Sequence, residues 1–243
     1  MNHTRKLQRI LFLDIETVPG SSAFTDLNES EKMLFEKKTR YQRKENISPE
    51  AFYDNAGIWA EFGKIICIST GAFTENTGEL KFNVTSFYGH KEAQVLREFK
   101  KLLDDRFNST THLLCAHNGK EFDFPYLARR MVIQGIPLPE SLNLFGKKPW
   151  EVRHLDTMEM WKFGDYKHYT SLELLTNVLG IPSPKDDISG NEVAKVYYKD
   201  QDLKRIVQYC ERDLTALAQV YLRFMNISVL TFEEAKISRR PFS

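Results

Sequence analysis

The sequence predicts an α/β fold, a mixed β-sheet flanked by helices, and three observations carry that prediction. Residues 9–15 (RILFLDI) form a nearly continuous apolar run, the pattern of a strand buried on both faces. Two β-rich stretches follow, joined by a short turn as in a hairpin. Beyond them, helical and strand-like segments alternate, which builds strand–helix–strand units. The composition agrees, since 42% hydrophobic and 28% charged residues in a 243-residue chain are ordinary globular values. A chain of that length buries a core that needs no covalent staples.

In chain order, the first strand is closed by Pro19-Gly20-Ser21-Ser22. Residues 25–60 are polar and helix-biased, and read as a helical insertion of about 20–60 before the sheet resumes. Strands over 64–73 (KIICISTGAF) and 80–88 (LKFNVTSFY) are linked by ENTGE, whose Gly78 suits the turn. In 91–104, Ala93, Leu96, Phe99 and Leu103 recur at helical spacing. His112–Ala116 (HLLCA) reads as another buried strand. Residues 122–133 read as a helix that tolerates Pro125 in its first turn. Val152–Asp156 suits a short strand, and 171–179 a helix ended by Gly180. A last long helix runs from about Asp202 to Phe224. No Gly/Ser linker or internal repeat divides the chain, so residues 1–243 are expected to form one domain.

A formal net charge of +1 argues against a partner held by bulk positive charge. Any polyanion must be met by local patches or by metal ions. Lysine and arginine doublets such as Lys100-Lys101, Arg129-Arg130 and Lys147-Lys148 read first as solvated faces. Cys67, Cys115 and Cys210 are far apart and odd in number, which supports neither a disulfide framework nor a zinc site. They read as two buried strand thiols and one on a helix. With no signal-peptide pattern and no apolar stretch approaching 18 residues, the expectation is a soluble, cytoplasmic protein without a membrane partner.

Three short patterns stand where such a fold would place a site. Asp14-Ile15-Glu16 ends the first strand, and residues two apart on a strand share a face. Asn118-Gly-Lys-Glu-Phe122-Asp123 lies where HLLCA opens into a helix. Tyr209-Cys-Glu-Arg-Asp213 lies in the last helix, where residues four apart share a face. Chance supplies about one D-x-E and roughly 0.5 Y-x-x-x-D in this composition, so neither is informative alone. N-x-x-x-F-D is expected only about 0.05 times. Taken singly, the first pattern also reads as a solvated strand end and the third as an ordinary helix pair. All three in order, each in a suitable element, form a specific signal.

Four converging carboxylates repel one another and raise their own pKa values unless cations neutralise them. Hard oxygen donors suit Mg²⁺ or Mn²⁺, which also accept phosphate and water as ligands. Two such ions activate a water and stabilise the departing oxyanion in phosphodiester displacement. A tyrosine on the face of the fourth carboxylate is placed to orient that water.

LDIET, HNGKEFDFPYL and YCERD resemble the three motifs of the DEDD superfamily of 3′→5′ exonucleases, in its tyrosine subclass. The histidine subclass has His where this chain has Gln208. The stretch from LDTMEMWKFGDY to the last motif is similar to stand-alone predicted exonucleases related to the proofreading domain of B-family DNA polymerases. The resemblance implies a ribonuclease-H-like fold and a two-metal exonuclease releasing nucleoside 5′-monophosphates from single-stranded 3′ ends, DNA in preference to RNA. It implies Asp14, Glu16, Asp123 and Asp213 as ligands for two divalent ions, Mg²⁺ or Mn²⁺, and Tyr209 as the water-orienting residue. It implies Thr17, Asn118 and Phe122 against the terminal nucleotide. An exoribonuclease of ribonuclease D type and a catalytically silent nucleic-acid binding module are the rival readings. The resemblance leaves the role of residues 20–60 open.

Other residues carry less. Trp161, Phe163, Tyr166 and Tyr169, interleaved with Lys162, Lys167 and His168, suit stacking of single-stranded bases and suit core packing equally. Lys185 reads as phosphate-reaching or solvated. His117 reads as a satisfied structural histidine, and Cys115 and Cys210 as packing residues.

Overall fold

The computed structural model describes residues 6–44, 46–76, 79–165, 169–181, 188–227 and 235–237. Gly78, Tyr166, Lys167, His168 and Lys185 lie outside the described residues. Six strands form one mixed sheet in the order β5-β4-β1-β2-β3-β6. They are β1 (Ile10–Pro19), β2 (Gly63–Asn76), β3 (Glu79–Tyr88), β4 (Leu113–Ala116), β5 (Leu155–Asp156) and β6 (Ala235–Ile237). The hairpin expected from the sequence is β2–β3, antiparallel from Cys67–Tyr88 to Asn76–Glu79. β1 runs antiparallel to β2, and β4 runs parallel to β1. β5 runs parallel to β4, and β6 runs parallel to β3.

The alternation along β1 sorts its side chains between two layers. Leu11, Leu13 and Ile15 pack with α3 (Glu92–Arg106) and α4 (Asp123–Ile133) through Leu96, Phe99 and Leu127. Ile10 and Phe12 pack on the opposite face against Leu214, Leu217 and Leu222 of the long C-terminal helix, Leu203–Phe224. Asp14 and Glu16 continue that second face, so the strand period alone aims them at the long helix.

The segment after β1 is helical, as expected, and builds a small aromatic core of its own. Its helices are α1 (Glu29–Thr39), capped by Asn28 with Glu31 reaching back, and the single turn α2 (Pro49–Phe52). Phe35 sits at the centre, edge-on to Tyr53 at 5.2 Å and to Phe62 at 5.2 Å. Gly57 lies against the Val18 backbone, where a Cβ would come within 3.0 Å of the Val18 carbonyl carbon, so only glycine permits the approach.

The remaining helices are α5 (Thr157–Lys162), α6 (Leu172–Val178), α7 (Val193–Lys195) and α8, the long Leu203–Phe224 helix. A π-helical stretch, Val196–Asp200, extends α7. Among the described residues, no helix is long and apolar enough to cross a membrane.

Candidate active site

β1, β4 and β5 run parallel, and their carboxyl ends lie together, the position where open α/β sheets hold ligands. β4 pairs with β1 only as far as Phe12–Cys115. Past that point the β4 chain turns away into the Asn118 loop, and Asp14 and Glu16 stand at the opening it leaves. A register shift between Glu16 and Thr17 turns the end of β1 toward the insertion.

The structure brings the five residues of the three motifs together. Asp14 feels the charges of Asp213 and Asp123, and Glu16 those of Asp14, Asp213 and Asp123. Burial, followed by these like charges, holds both carboxyls well above the usual carboxylate range. Asp123 opens α4 and is 4% exposed. Burial pushes its pKa up to about 7, with Asp156 adding to the rise; hydrogen bonds from its own and the Ile15 backbone N–H oppose it. Tyr209 and Asp213 face the cluster from α8, and the Tyr209 hydroxyl is hydrogen-bonded to the Asp213 side chain. Burial and then Asp213 raise the phenol pKa, so it stays protonated.

The residues between them anchor α8. Glu211 is buried and accepts from Ser86 Oγ at 2.9 Å, tying the helix to β3. Cys210 does more than pack. Its thiol donates to Asp14 Oδ2 at 3.2 Å and lies 3.4 Å from the Asp14 carbonyl oxygen. Ligand atoms of Asp14, Glu16 and Cys210 lie within 4.8 Å of one another. All three cysteines are free and buried, as the sequence suggested.

Asn118 adopts φ 62, a left-handed conformation that asparagine tolerates better than most residues. Gly119 follows because a Cβ there would meet Ala116 Cβ at 2.4 Å. Asn118 Oδ1 is buried without a hydrogen-bond partner among the described residues. Phe122 precedes α4 and packs on Tyr126 at 5.2 Å. Thr17 is placed differently. Its hydroxyl donates to the Gly57 carbonyl at 2.9 Å, which Tyr126 also bonds at 2.7 Å, so it borders the site with that group already engaged.

Sequence reasoning passed over Asp156. It ends β5, is 3% exposed, and accepts four backbone N–H groups: Asn118 at 3.0 Å, Lys120 at 3.1 Å, Met158 at 2.9 Å and Glu159 at 3.2 Å. With its lone pairs filled, this carboxylate clamps the Asn118 loop and caps α5. The signal available was Asp156 with Glu159 three residues on, an N-cap pattern ahead of apolar residues. His117 is satisfied by Thr157 Oγ1 and the Thr170 carbonyl, both at 2.9 Å. Trp161 stacks on Phe224 at 5.9 Å, whereas Phe163 and Tyr169 are exposed.

The residues fit divalent cations: four buried or half-buried carboxylates, two of which are held well above their ordinary pKa by burial and by their neighbours' charge, offer hard oxygen donors. The family model described as a predicted 3′-5′ exonuclease related to the exonuclease domain of PolB matches residues 58–239. Asp14 and Glu16 precede that match and join the site through the fold. A DNA polymerase of Pyrococcus glycovorans is 22% identical over 161 residues, 61% of this chain and 19% of the polymerase. The family B DNA polymerase of the archaeon Pyrobaculum calidifontis superposes with a TM-score of 0.55 at 14% identity, over 89% of this chain and 24% of that one. The chain thus spans about a fifth to a quarter of the polymerases it matches. The likeness bears out the mixed α/β, ribonuclease-H-like architecture.

Proposed function

The chain belongs to the family of predicted 3′-5′ exonucleases related to the exonuclease domain of PolB, and from that premise we propose that it hydrolyses the terminal phosphodiester at the 3′ end of single-stranded nucleic acid, DNA in preference to RNA. Residues 1–243 act in this reading as one unit, in the cytoplasm, where three unpaired buried thiols are at home. The observation that carries it is the convergence of Asp14, Glu16, Asp123 and Asp213, each pressing on its neighbours' ionisation, with Tyr209 bonded to the last of them.

Asp14, Glu16, Asp123 and Asp213 would hold two ions, Mg²⁺ or Mn²⁺. When bound, these ions supply the charge that ionises a water and stabilises the departing oxyanion. The chain's own contribution is placement. The Tyr209 hydroxyl, which keeps its proton, donates a hydrogen bond to Asp213, and its oxygen lone pair is left to accept a hydrogen bond from the attacking water. The water's lone pair is thereby turned toward phosphorus. The orphaned Asn118 Oδ1 would accept from the terminal 3′-hydroxyl, and the Phe122 ring would lie against the terminal nucleotide. Thr17 contributes surface and its tie to the insertion. Cys210 fixes one Asp14 oxygen, leaving the other for a cation.

The test is degradation of matched 3′- and 5′-labelled DNA and RNA oligonucleotides in Mg²⁺, Mn²⁺ or EDTA. The expected result is immediate release of the 3′ label as a mononucleotide, a stepwise shortening of the 5′-labelled strand, and none of either in EDTA. Asp14→Ala and Asp213→Ala should stay folded and be inactive. Undiminished activity after exhaustive chelation, or cleavage of a circular single strand, would remove the two-metal exonuclease. Faster loss of the RNA strand would make it an exoribonuclease, and binding with no hydrolysis in any metal would make it a binding module.

A further inference from the structure

The backbone of Asn118 is bonded at both of its polar groups. Its N–H donates to Asp156 Oδ1 at 3.0 Å. Its carbonyl accepts from the Glu121 and Phe122 N–H groups at 3.2 and 3.0 Å. Gly119 gives its carbonyl to the Phe124 N–H at 2.9 Å, and the Lys120 N–H donates to Asp156 Oδ2 at 3.1 Å. One carboxylate therefore grips the chain on both sides of Gly119, an oxygen to each N–H. The Asn118 side-chain oxygen is the exception, buried and without a partner among the described residues.

We propose that Asp156 is a positioning residue of the site: by fixing the backbone from Asn118 to Lys120, it holds the Asn118 side-chain oxygen where the terminal 3′-hydroxyl is read. The proposal rests on the exonuclease reading above, and Asp156 itself touches neither substrate nor cation in it. Asn118, at φ 62, is in a conformation that non-glycine residues adopt seldom, so the loop needs outside support to keep it. That support comes from β5 and α5. Asp156 stands beside Ala116 in the parallel β4–β5 pair, and Ala116 is two residues before Asn118. Capping α5 takes only the bonds from the Met158 and Glu159 N–H groups to Oδ1. The two bonds to the loop are surplus to capping, and they are what positioning requires.

The same frame holds the loop at its side chains. Lys120 Nζ lies 2.5 Å from Glu159, in the first turn of α5. His117 bonds both Thr157 Oγ1 and the Thr170 carbonyl at 2.9 Å. A carbonyl only accepts, so Nε2 carries the proton and Nδ1 accepts from the Thr157 hydroxyl. The far end of α5 is pinned in turn, because Trp161 stacks on Phe224 at the end of α8, the helix that carries Tyr209 and Asp213. Loop and helix are thus referred to one support, with Asp156 at its buried joint. A displacement of about 1 Å at such a point costs on the order of 10²-fold in rate.

The experiment compares kcat/KM in Mg²⁺ on two oligothymidylates, one ending in an ordinary 3′-hydroxyl and one in a 3′-deoxy residue. Both are read on the same preparation, so their ratio does not depend on how much of a variant is folded. Wild type should prefer the 3′-hydroxyl. Asp156→Asn keeps an oxygen for the Asn118, Met158 and Glu159 N–H groups but turns an amide N–H against that of Lys120. It should lower kcat/KM on the 3′-hydroxyl strand about 10- to 100-fold, and on the 3′-deoxy strand by no more than about twofold. Asp156→Ser, which still caps α5, should act the same way and serves if the amide variant does not fold. In an Asn118→Ala background the preference is already gone, and Asp156→Asn should add no more than about twofold. A wild-type ratio in both Asp156 variants, or a full further loss in the Asn118→Ala background, overturns the positioning role and leaves Asp156 a helix cap. A wild type that cuts both strands equally also overturns it, with the exonuclease standing. Neither strand shortened in Mg²⁺ or Mn²⁺ overturns both.

Discussion

Tyr209 and Cys210 are neighbours in sequence with different tasks at one cluster. The thiol is buried against Asp14, while the phenol is half-exposed and bonded to Asp213. Tyr209→Phe keeps the ring and removes one hydroxyl. In single-turnover cleavage of a short 3′-labelled strand it should lose on the order of 10²–10⁴-fold in rate, with binding in Ca²⁺ almost unchanged, because the bond matters in the transition state. A rate within about twofold of wild type would assign Tyr209 to packing. Such residues were legible because spacing betrays them: two apart on a strand, four apart on a helix. Asp156 shows only an N-cap pattern, which accounts for its bonds from Met158 and Glu159. Its hold on the Asn118 loop comes from the Asn118 and Lys120 donors, which reach it only once β4 and β5 have paired. The Thr17 hydroxyl was legible as polar and near the site, but its engagement by Gly57, forty residues away, was not.

At the scale of elements, apolar periodicity found what apolar packing builds: β1, the β2–β3 hairpin, α3, α4 and α8. It could not see α3 and α4 locked together by charge. Glu92, in the first turn of α3, accepts from the Ile65 N–H at 2.8 Å and from Arg130 Nε at 2.8 Å. Gln134 reaches it at 2.7 Å, and Arg130 also bonds the Ala60 carbonyl at 2.7 Å. In a sequence, a glutamate and an arginine read as surface; here both are buried. Glu92→Ala leaves a guanidinium buried without its counter-charge, and should cost about 3–5 kcal/mol in urea unfolding. A loss below about 0.5 kcal/mol would show the pair to be dispensable. The helix α5 escaped notice for a related reason: it is six residues long and exists through the Asp156 cap. The three residues of β6 carry no pattern of their own, and only pairing with β3 makes them a strand.

The whole molecule carries the burial of these carboxylates, and the like charges beside them, as a pH-dependent strain. The Asp123 pKa rises from near 3.9 in an unfolded chain to about 7 in the fold. The folded state therefore binds its proton more tightly, and stability falls as pH rises from about 4 through 7. Asp14 and Glu16 are displaced in the same direction. In EDTA, Tm should be higher at pH 5.5 than at pH 8, and Asp14→Asn should raise it at pH 8. Mg²⁺ or Mn²⁺ should restore more at pH 8 than at pH 5.5, since cations bind the ionised form. A Tm that rises with pH in EDTA would contradict the buried, mutually repelling cluster.

The sheet's two borders are guarded unequally. On one side β5 is too short, at two residues, to template anything. On the other, the ten-residue β3 would offer a long row of open backbone groups, and β6 takes up part of it from Phe82 to Val84. The three residues of β6 lie at the border opposite β5, and there they cover backbone groups of β3. A chain ending at Ile227 should keep its hydrolytic chemistry yet self-associate through the bared border. Light scattering should then show concentration-dependent growth of assemblies that the full chain does not form; a monodisperse truncated chain would show that β3 needs no cover.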